Sequence, residues 1–169
     1  DAVTVFIGPC LAKKSEVVDQ KIPGNADYVL TYSELRAIMR AKGISLQPCG
    51  NDDQISSVYG KRFANSGGVT EAVLQSLKES GEEIDAKVYR ANGAAECKKA
   101  LLLLRAAKLP NDFVEGMICD GGCVGGPSAF KDQMKFKKDR DELISQADNR
   151  DIHENLEEYD MESFSMHRE

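Results

Sequence analysis

Apolar runs of strand length alternate along this chain with stretches of helical period. Val3 to Ile7 is a short, largely apolar run bounded by Gly8-Pro9, and it predicts a buried strand. Tyr28-Val29-Leu30 is a second such run. It leads into a helix whose start carries a capping box, Thr31 with Glu34 three residues on. Leu35, Ile38 and Met39 fall on one face of that helix, and Gly43 supplies its stop. From Ile44 to Ser66 the periodicity fades, which predicts a long, partly irregular connection. A helix is expected from about Gly68 to Glu79 with Val69, Val73 and Leu77 as its stripe, then a short strand from Lys87 to Arg90. A further helix is expected from about Ala94 to Lys108, with Ala94, Cys97, Leu101 and Leu104 on one face. Phe113 to Ile118 is the fourth strand-like run.

Strands alternating with helices predict an α/β fold, a mostly parallel sheet with helices on both faces. In such sheets ligands sit at the carboxyl ends of the strands. Pro9-Cys10 and Cys119-Asp-Gly-Gly-Cys123 both follow strands directly, so they are expected to emerge on one edge and share a site. From Lys131 the composition changes: a basic segment (Lys131 to Arg140) gives way to an acidic one (Asp151 to Glu162). Phe136, Leu143, Ala147, Ile152, Leu156 and Tyr159 keep helical spacing there. The chain therefore divides into a body, residues 1–130, and an amphipathic helical C-terminal tail, residues 131–169.

Composition narrows the function classes. At roughly 150 residues per domain, 169 residues make one core. The charge, 22 − 28 = −6, argues against non-specific nucleic-acid binding. No apolar run approaches the ~18 residues of a membrane span, so no membrane partner is expected. Asp1 precedes a core strand with no methionine or signal peptide, and this reads as a piece of a longer polypeptide. Five cysteines in these settings suggest a reduced, cytoplasmic chain and not a disulfide framework. No Walker loop, Gly-x-Ser-x-Gly or His-Glu-x-x-His is present. Ser66-Gly67-Gly68 could hold an anion at a helix start, or could simply be a flexible entry.

The remaining chemistry lies in the cysteines. Cys119 and Cys123 are four apart, which would place them on one face if the segment turns helical, and the glycines between them let backbone amides approach sulfur. The spacing fits neither a zinc knuckle nor a redox Cys-x-x-Cys. Cluster or soft-metal ligation and a structural glycine-rich turn both remain open. Cys10, after Pro9 and near Lys13 and Lys14, is either an inert thiol or one biased toward thiolate by those lysines. Cys97 reads as a buried core thiol, Cys49 as structural, and His153 and His167 as surface residues. Met117 is either core or a soft apolar wall beside a cofactor.

These segments resemble a known family. Phe6-Ile-Gly-Pro-Cys-Leu-Ala-Lys-Lys-Ser-Glu16 is similar to the second cluster signature of the iron–iron hydrogenases, Pro-Cys-x-x-Lys-Lys-x-Glu. Phe113-Val-Glu-Gly-Met-Ile-Cys-Asp-Gly-Gly-Cys123 is similar to the third, Glu-x-Met-x-Cys-x-Gly-Gly-Cys. Asp27 to Leu35 and Phe63 to Ala72 resemble intervening segments in the same order. The resemblance implies the C-terminal part of an H-cluster domain, with a 4Fe–4S cubane joined through a cysteine to a diiron subsite. Cys10, Cys119 and Cys123 would be cubane ligands, and Cys123 the bridging one. Lys13 would hydrogen-bond a cyanide of the subsite with Glu16 positioning it, and Met117 would pack alongside. The fourth ligand and the electron-supplying ferredoxin-like modules would belong to the upstream part of the same polypeptide. The redox or signalling partner stays open.

The family reaction is reversible proton reduction to dihydrogen. This chain by itself is expected to hold no complete cluster and to be inactive. Gly8 stands where productive members have methionine, and Val124-Gly125-Gly126-Pro127 replaces their longer glycine run ending in Gln-Pro. Both departures point toward the divergent branches of the family, sensory or uncharacterised. The competing reading is an iron–sulfur protein of the same superfamily that never receives a diiron subsite and acts in cluster assembly or regulation.

Overall fold

The computed structural model describes residues 2–19, 21, 24–47, 56–82, 85–129, 133–147, 150–157 and 159–161. Two βαβ units carry the body. In the first, strand β1 (Val5–Gly8) leads to helix α1 (Ala12–Glu16) and to strand β2 (Tyr28–Thr31). The strands run parallel in the register Val5↔Tyr28 to Gly8↔Thr31. Helix α2 (Tyr32–Ala41) follows at once, capped as its sequence predicts. Thr31 accepts from the Glu34 N–H while the Glu34 carboxylate accepts from the Thr31 N–H. It ends in a Schellman turn: Gly43, at φ 67°, donates to the Arg40 carbonyl, and Ile44 donates to that of Met39.

The second unit is strand β3 (Val88–Asn92), helix α5 (Ala94–Arg105) and strand β4 (Phe113–Met117), again parallel, with Val88↔Phe113 to Asn92↔Met117 in register. Between the units lie a short helix α3 (Val58–Arg62) and helix α4 (Gly68–Glu79). The tail contributes α6 (Gln133–Ser145) and α7 (Ile152–Leu156). The mixed α/β, parallel character is as the alternation predicts. Among the described residues, however, the strands pair two by two and not as a single sheet.

Three details differ from the periodicity. Part of the stretch expected to be irregular folds as α3, capped by the Ser57 hydroxyl accepting from the Gly60 N–H. On α5 the buried face runs through Cys97 and Ala100, while Leu101 is 65% exposed. Small residues there let the helix sit close to β3, where Ala91 is buried, and Tyr89 and Val114 close the cluster. On α4 the most buried position is Thr70, and Val73, expected in the apolar stripe, is exposed. The cause of that reversal lies in β4 and is given below.

Ile152, Leu156 and Tyr159 do face the body. With Phe63, Ala72 and Val73 they line a groove of about 620 Å³ between α7, α3 and α4. Phe136, Cys49 and His167 lie outside the residues whose side chains are described, as do residues 130–132, where body and tail were divided. No helix among the described residues is long and apolar enough to cross a membrane.

Candidate functional site

Each βαβ unit delivers cysteine at the carboxyl end of a strand. β1 ends at Gly8 and turns through Pro9-Cys10 into α1. β4 ends at Met117, whose carbonyl accepts from the Gly93 N–H at 2.8 Å, and runs on into Cys119. The segment from Cys119 to Cys123 does not become an α-helix. Gly121 and Gly122 take φ of 79° and 96°, which break the helical path, and Cys123–Gly125 closes a single 3-10 turn. The shared helix face expected from the four-residue spacing is therefore absent.

Two other stretches shape this loop. The 64–66 segment lies alongside it: Val124 donates to the Ala64 carbonyl at 3.3 Å, Ser66 donates to that of Gly121 at 3.1 Å, and Asn65 pairs antiparallel with Gly122. The contact is too close for a side chain, since a Cβ on Gly122 would fall 2.5 Å from the Ala64 oxygen. Asn92, at the end of β3, is the second brace. Its Oδ1 accepts from the Gly121 N–H at 2.9 Å, and its Nδ2 donates to the Asp120 carboxylate. The loop then crosses to the first unit, where Ser128 donates to the Pro9 carbonyl at 3.1 Å and Gly126 packs against Pro9.

That crossing gathers three thiols. Cys10 and Cys119 are half-buried, Cys123 is exposed, and all three are free. Burial pushes the Cys119 thiol above its ordinary value, and the neighbouring charges of Cys10 and Cys123 push it the same way. Among the described residues no three His, Cys, Asp or Glu side chains converge tightly enough for a single ion. Sulfur-only donors are the kind that select iron–sulfur or other soft centres. The set is one thiolate short of the four that a cubane takes.

The other predicted site residues sit as follows. Lys13 Nζ donates to Glu16 at 2.6 Å, and its ammonium lies 5.9 Å from the centroid of the Phe6 ring. That ring covers Gly8, where a Cβ would meet it at 2.8 Å. Phe6 therefore fills the space a larger residue at position 8 would need. Met117 is half-buried at the end of β4. Cys97 is in the core, its thiol 3.5 Å from the Ala91 carbonyl, and His153 is a surface residue of α7. A largely apolar cleft of about 670 Å³ opens beside Cys123, lined by Pro9, Tyr32, Leu35, Met39 and Val124 among others.

Sequence reading missed Glu115. It is 5% exposed and accepts hydrogen bonds from the Gly67 N–H at 2.8 Å, the Thr70 N–H at 3.1 Å and the Thr70 hydroxyl. The helix start at Ser66-Gly67-Gly68 does hold an anion, but the anion is this internal carboxylate. That is why Thr70 is the most buried residue of α4. The available signals were the Glu of Glu-x-Met-x-Cys and the glycine pair, each uninformative without the other.

Comparison with known proteins identifies the family. The family described as "Iron only hydrogenase large subunit, C-terminal domain" matches residues 1–127. The chain is 30% identical to the periplasmic [Fe] hydrogenase large subunit of Nitratidesulfovibrio vulgaris, over 73% of this chain and 38% of that one. It is 23% identical to the human nuclear prelamin A recognition factor, over 72% of this chain and 35% of that one. It therefore spans little more than a third of these relatives. Among solved structures, an [FeFe]-hydrogenase studied for oxygen inactivation of its H cluster superposes with a TM-score of 0.63. Identity is 20%, covering 97% of this chain and 58% of that one. A variant of the [FeFe]-hydrogenase HydA1 from Chlamydomonas reinhardtii superposes at 0.60, also at 20% identity, covering 99% and 60%. At such identities the superpositions establish the fold.

Proposed function

The chain belongs to the family of iron-only hydrogenase large subunits, through their C-terminal domain, and we propose that it supplies three of the four protein thiolates of an H-cluster-type 4Fe–4S centre. Those thiolates are Cys10, Cys119 and Cys123. The observation that carries this reading is that the loop following Cys123 crosses to the Cys10 turn, where Ser128 donates to the Pro9 carbonyl at 3.1 Å. The fourth thiolate, and ferredoxin-like modules that deliver electrons, come from other parts of a longer polypeptide. Residues 1–130 are the cluster-binding body and 131–169 an appended helical tail. The chain alone completes no cluster and is inactive.

When bound, the cluster with a diiron subsite supplies the electrons for reversible reduction of protons to dihydrogen, as turnover or as a hydrogen signal. The chain's own residues hold and orient. Cys123, the exposed thiol, would be the one that bridges to a subsite. Lys13 presents its ammonium as a charge-assisted donor to an anionic ligand, and Glu16 fixes that ammonium from 2.6 Å. Met117 provides a soft apolar wall.

The test is iron and sulfide content of the anaerobically matured parent protein, with each of the three cysteines replaced by alanine in turn. Loss of the cubane signal in all three variants is expected, and unchanged iron content would overturn the reading. Carbonyl and cyanide infrared bands decide the subsite. Their absence beside a normal cubane spectrum selects the second reading, a cluster protein without a diiron subsite acting in assembly or regulation. We assign the protein to the cytoplasm. The Nitratidesulfovibrio relative is periplasmic by name, so fractionation of the native host is the relevant measurement.

A further inference from the structure

Glu115 lies in the middle of β4, four residues before Cys119, and a carboxylate so buried persists only when its oxygens are satisfied. Oε1 accepts from Gly67, and Oε2 accepts from both the amide and the hydroxyl of Thr70. These donors open α4, a twelve-residue helix whose N-terminal dipole favours a negative charge. The same short stretch of chain grips the cysteine loop with its other end, through Ala64, Asn65 and Ser66. The stretch has no slack. A Cβ on Gly68 would lie 1.9 Å from the Arg62 carbonyl, and one on Gly122 2.5 Å from the Ser66 nitrogen. Displacing the start of α4 must therefore displace the loop.

We propose that Glu115 is a positioning residue: it anchors residues 64–70 as a clasp that sets the conformation of the Cys119–Cys123 loop. Its importance for ligation rests on the reading of that loop as a cluster ligand. The clasp itself does not depend on that reading. The chemistry is specific to a carboxylate, because all three partners donate. Glutamine would offer one acceptor oxygen and turn an NH₂ toward a backbone N–H, donor against donor. Aspartate is one methylene too short to reach both Gly67 and Thr70 from the same strand position.

The experiment is hydrogen exchange read by mass spectrometry on the whole chain, without iron. It compares the wild type, Glu115→Gln, Thr70→Val and a core control, Ala100→Gly, which loosens the packing of α5 on β3 and lies outside residues 64–70. Glu115→Gln is expected to accelerate exchange in peptides covering residues 119–126 by roughly tenfold or more, as loss of a charged hydrogen bond implies. Thr70→Val, which removes only the hydroxyl, should produce a smaller rise in the same peptides. The control should leave the 119–126 peptides unchanged relative to the rest of the chain. Alkylation of Cys119 and Cys123 should quicken in Glu115→Gln while that of Cys97 does not.

If exchange in 119–126 follows global stability equally in all variants, Glu115 merely stabilises and the proposal fails. Should Glu115→Gln not fold, Thr70→Val decides alone by the presence or absence of the local rise. In iron-loaded parent protein, Glu115→Gln should also alter the cubane's paramagnetic resonance spectrum, and Ala100→Gly should not. Failure of the cysteine-to-alanine test would remove the cluster reading while leaving the exchange result standing.

Discussion

β3 and β4 have a shielded core behind them: Ala91, Cys97 and Ala100 are at most 5% exposed, and Glu115 is satisfied by three donors. In β1, by contrast, Val5, Phe6 and Ile7 are 45%, 38% and 43% exposed. Its chief polar tie, Asp27 accepting from the amide and hydroxyl of Thr4, lies at the surface. Both strand pairs are short and parallel, and each is followed by a candidate ligand cysteine. The second unit thus fixes its cysteine loop from inside, whereas the first places Cys10 on a strand held by exposed contacts and by the loop that crosses over to Pro9. The geometry of the candidate site is set by one unit and completed by the other.

The sharpest way to break this asymmetry is Glu115→Ala. It leaves the buried Gly67 and Thr70 amides without an acceptor, at a cost of roughly 1–3 kcal/mol for each. Chemical denaturation should show a loss of roughly 2–6 kcal/mol, enough to unfold much of the population. A loss below about 1 kcal/mol would mean that water replaces the carboxylate and the unit is not fixed from inside. Gly122→Ala comes next. Its Cβ would strike Ala64 and Ser66 at 2.5 Å with φ at 96°, so about 1–3 kcal/mol is expected. That loss should be accompanied by faster alkylation of Cys123.

A third, smaller effect concerns the tail. Glu79, on α4, accepts from the amides of Ile152 and His153 at 3.2 and 2.9 Å and from Gln75 at 2.7 Å. Burial pushes its carboxyl up, but hydrogen bonds from His153, Gln75 and Ile152, with the charge of His153, outweigh it and hold it below the ordinary value. A depressed carboxyl stabilises above the pKa of the unfolded chain, and the contribution fades as pH falls through the folded value. Docking of α7 should therefore weaken in acid. Glu79→Gln should cost about 1 kcal/mol at neutral pH and open α7 to limited proteolysis while leaving the 119–126 loop protected. Equal loss of protection in the loop would show that the tail, too, holds the site.

What the sequence disclosed followed from where the information is local. The Thr31–Glu34 capping box and the Gly43 stop are contacts within a few residues, and each appears as its pattern predicts. The alternation of strand and helix gave the parallel α/β class, and Cys10 and Cys119 do follow the ends of parallel strands. Hidden were the contacts across the chain. Nothing near Glu115 says that its acceptors serve Gly67 and Thr70, and nothing near Asn92 says that it braces Gly121. Thr70 looks like a surface position by hydropathy and is buried because its hydroxyl answers a charge on another element. The helical reading of Cys119 to Cys123 failed because a four-residue spacing says nothing of glycine φ, and the chain there takes the left-handed path.

The smallest expected effect tests the first unit in return. Glu34 accepts from Lys14 at 2.8 Å and closes the capping box at Thr31, tying α1, which follows Cys10, to the start of α2. Lys14, and then the hydrogen bonds from Thr31, hold the Glu34 carboxyl down to about 2, from 4.5. The sign follows directly: the network stabilises fully above about pH 4.5 and loses its contribution as pH falls toward 2. Both side chains are more than a third exposed, so solvent and salt screen the pair. Melting temperatures of the wild type and Glu34→Gln should differ slightly at pH 6, converge near pH 2, and converge also in 1 M salt. At the same time the exchange of residues 119–126 should be indifferent to the substitution at every pH. A large or salt-insensitive difference would mean that the first unit is held as firmly as the second, and that the asymmetry between the two halves of the site lies elsewhere.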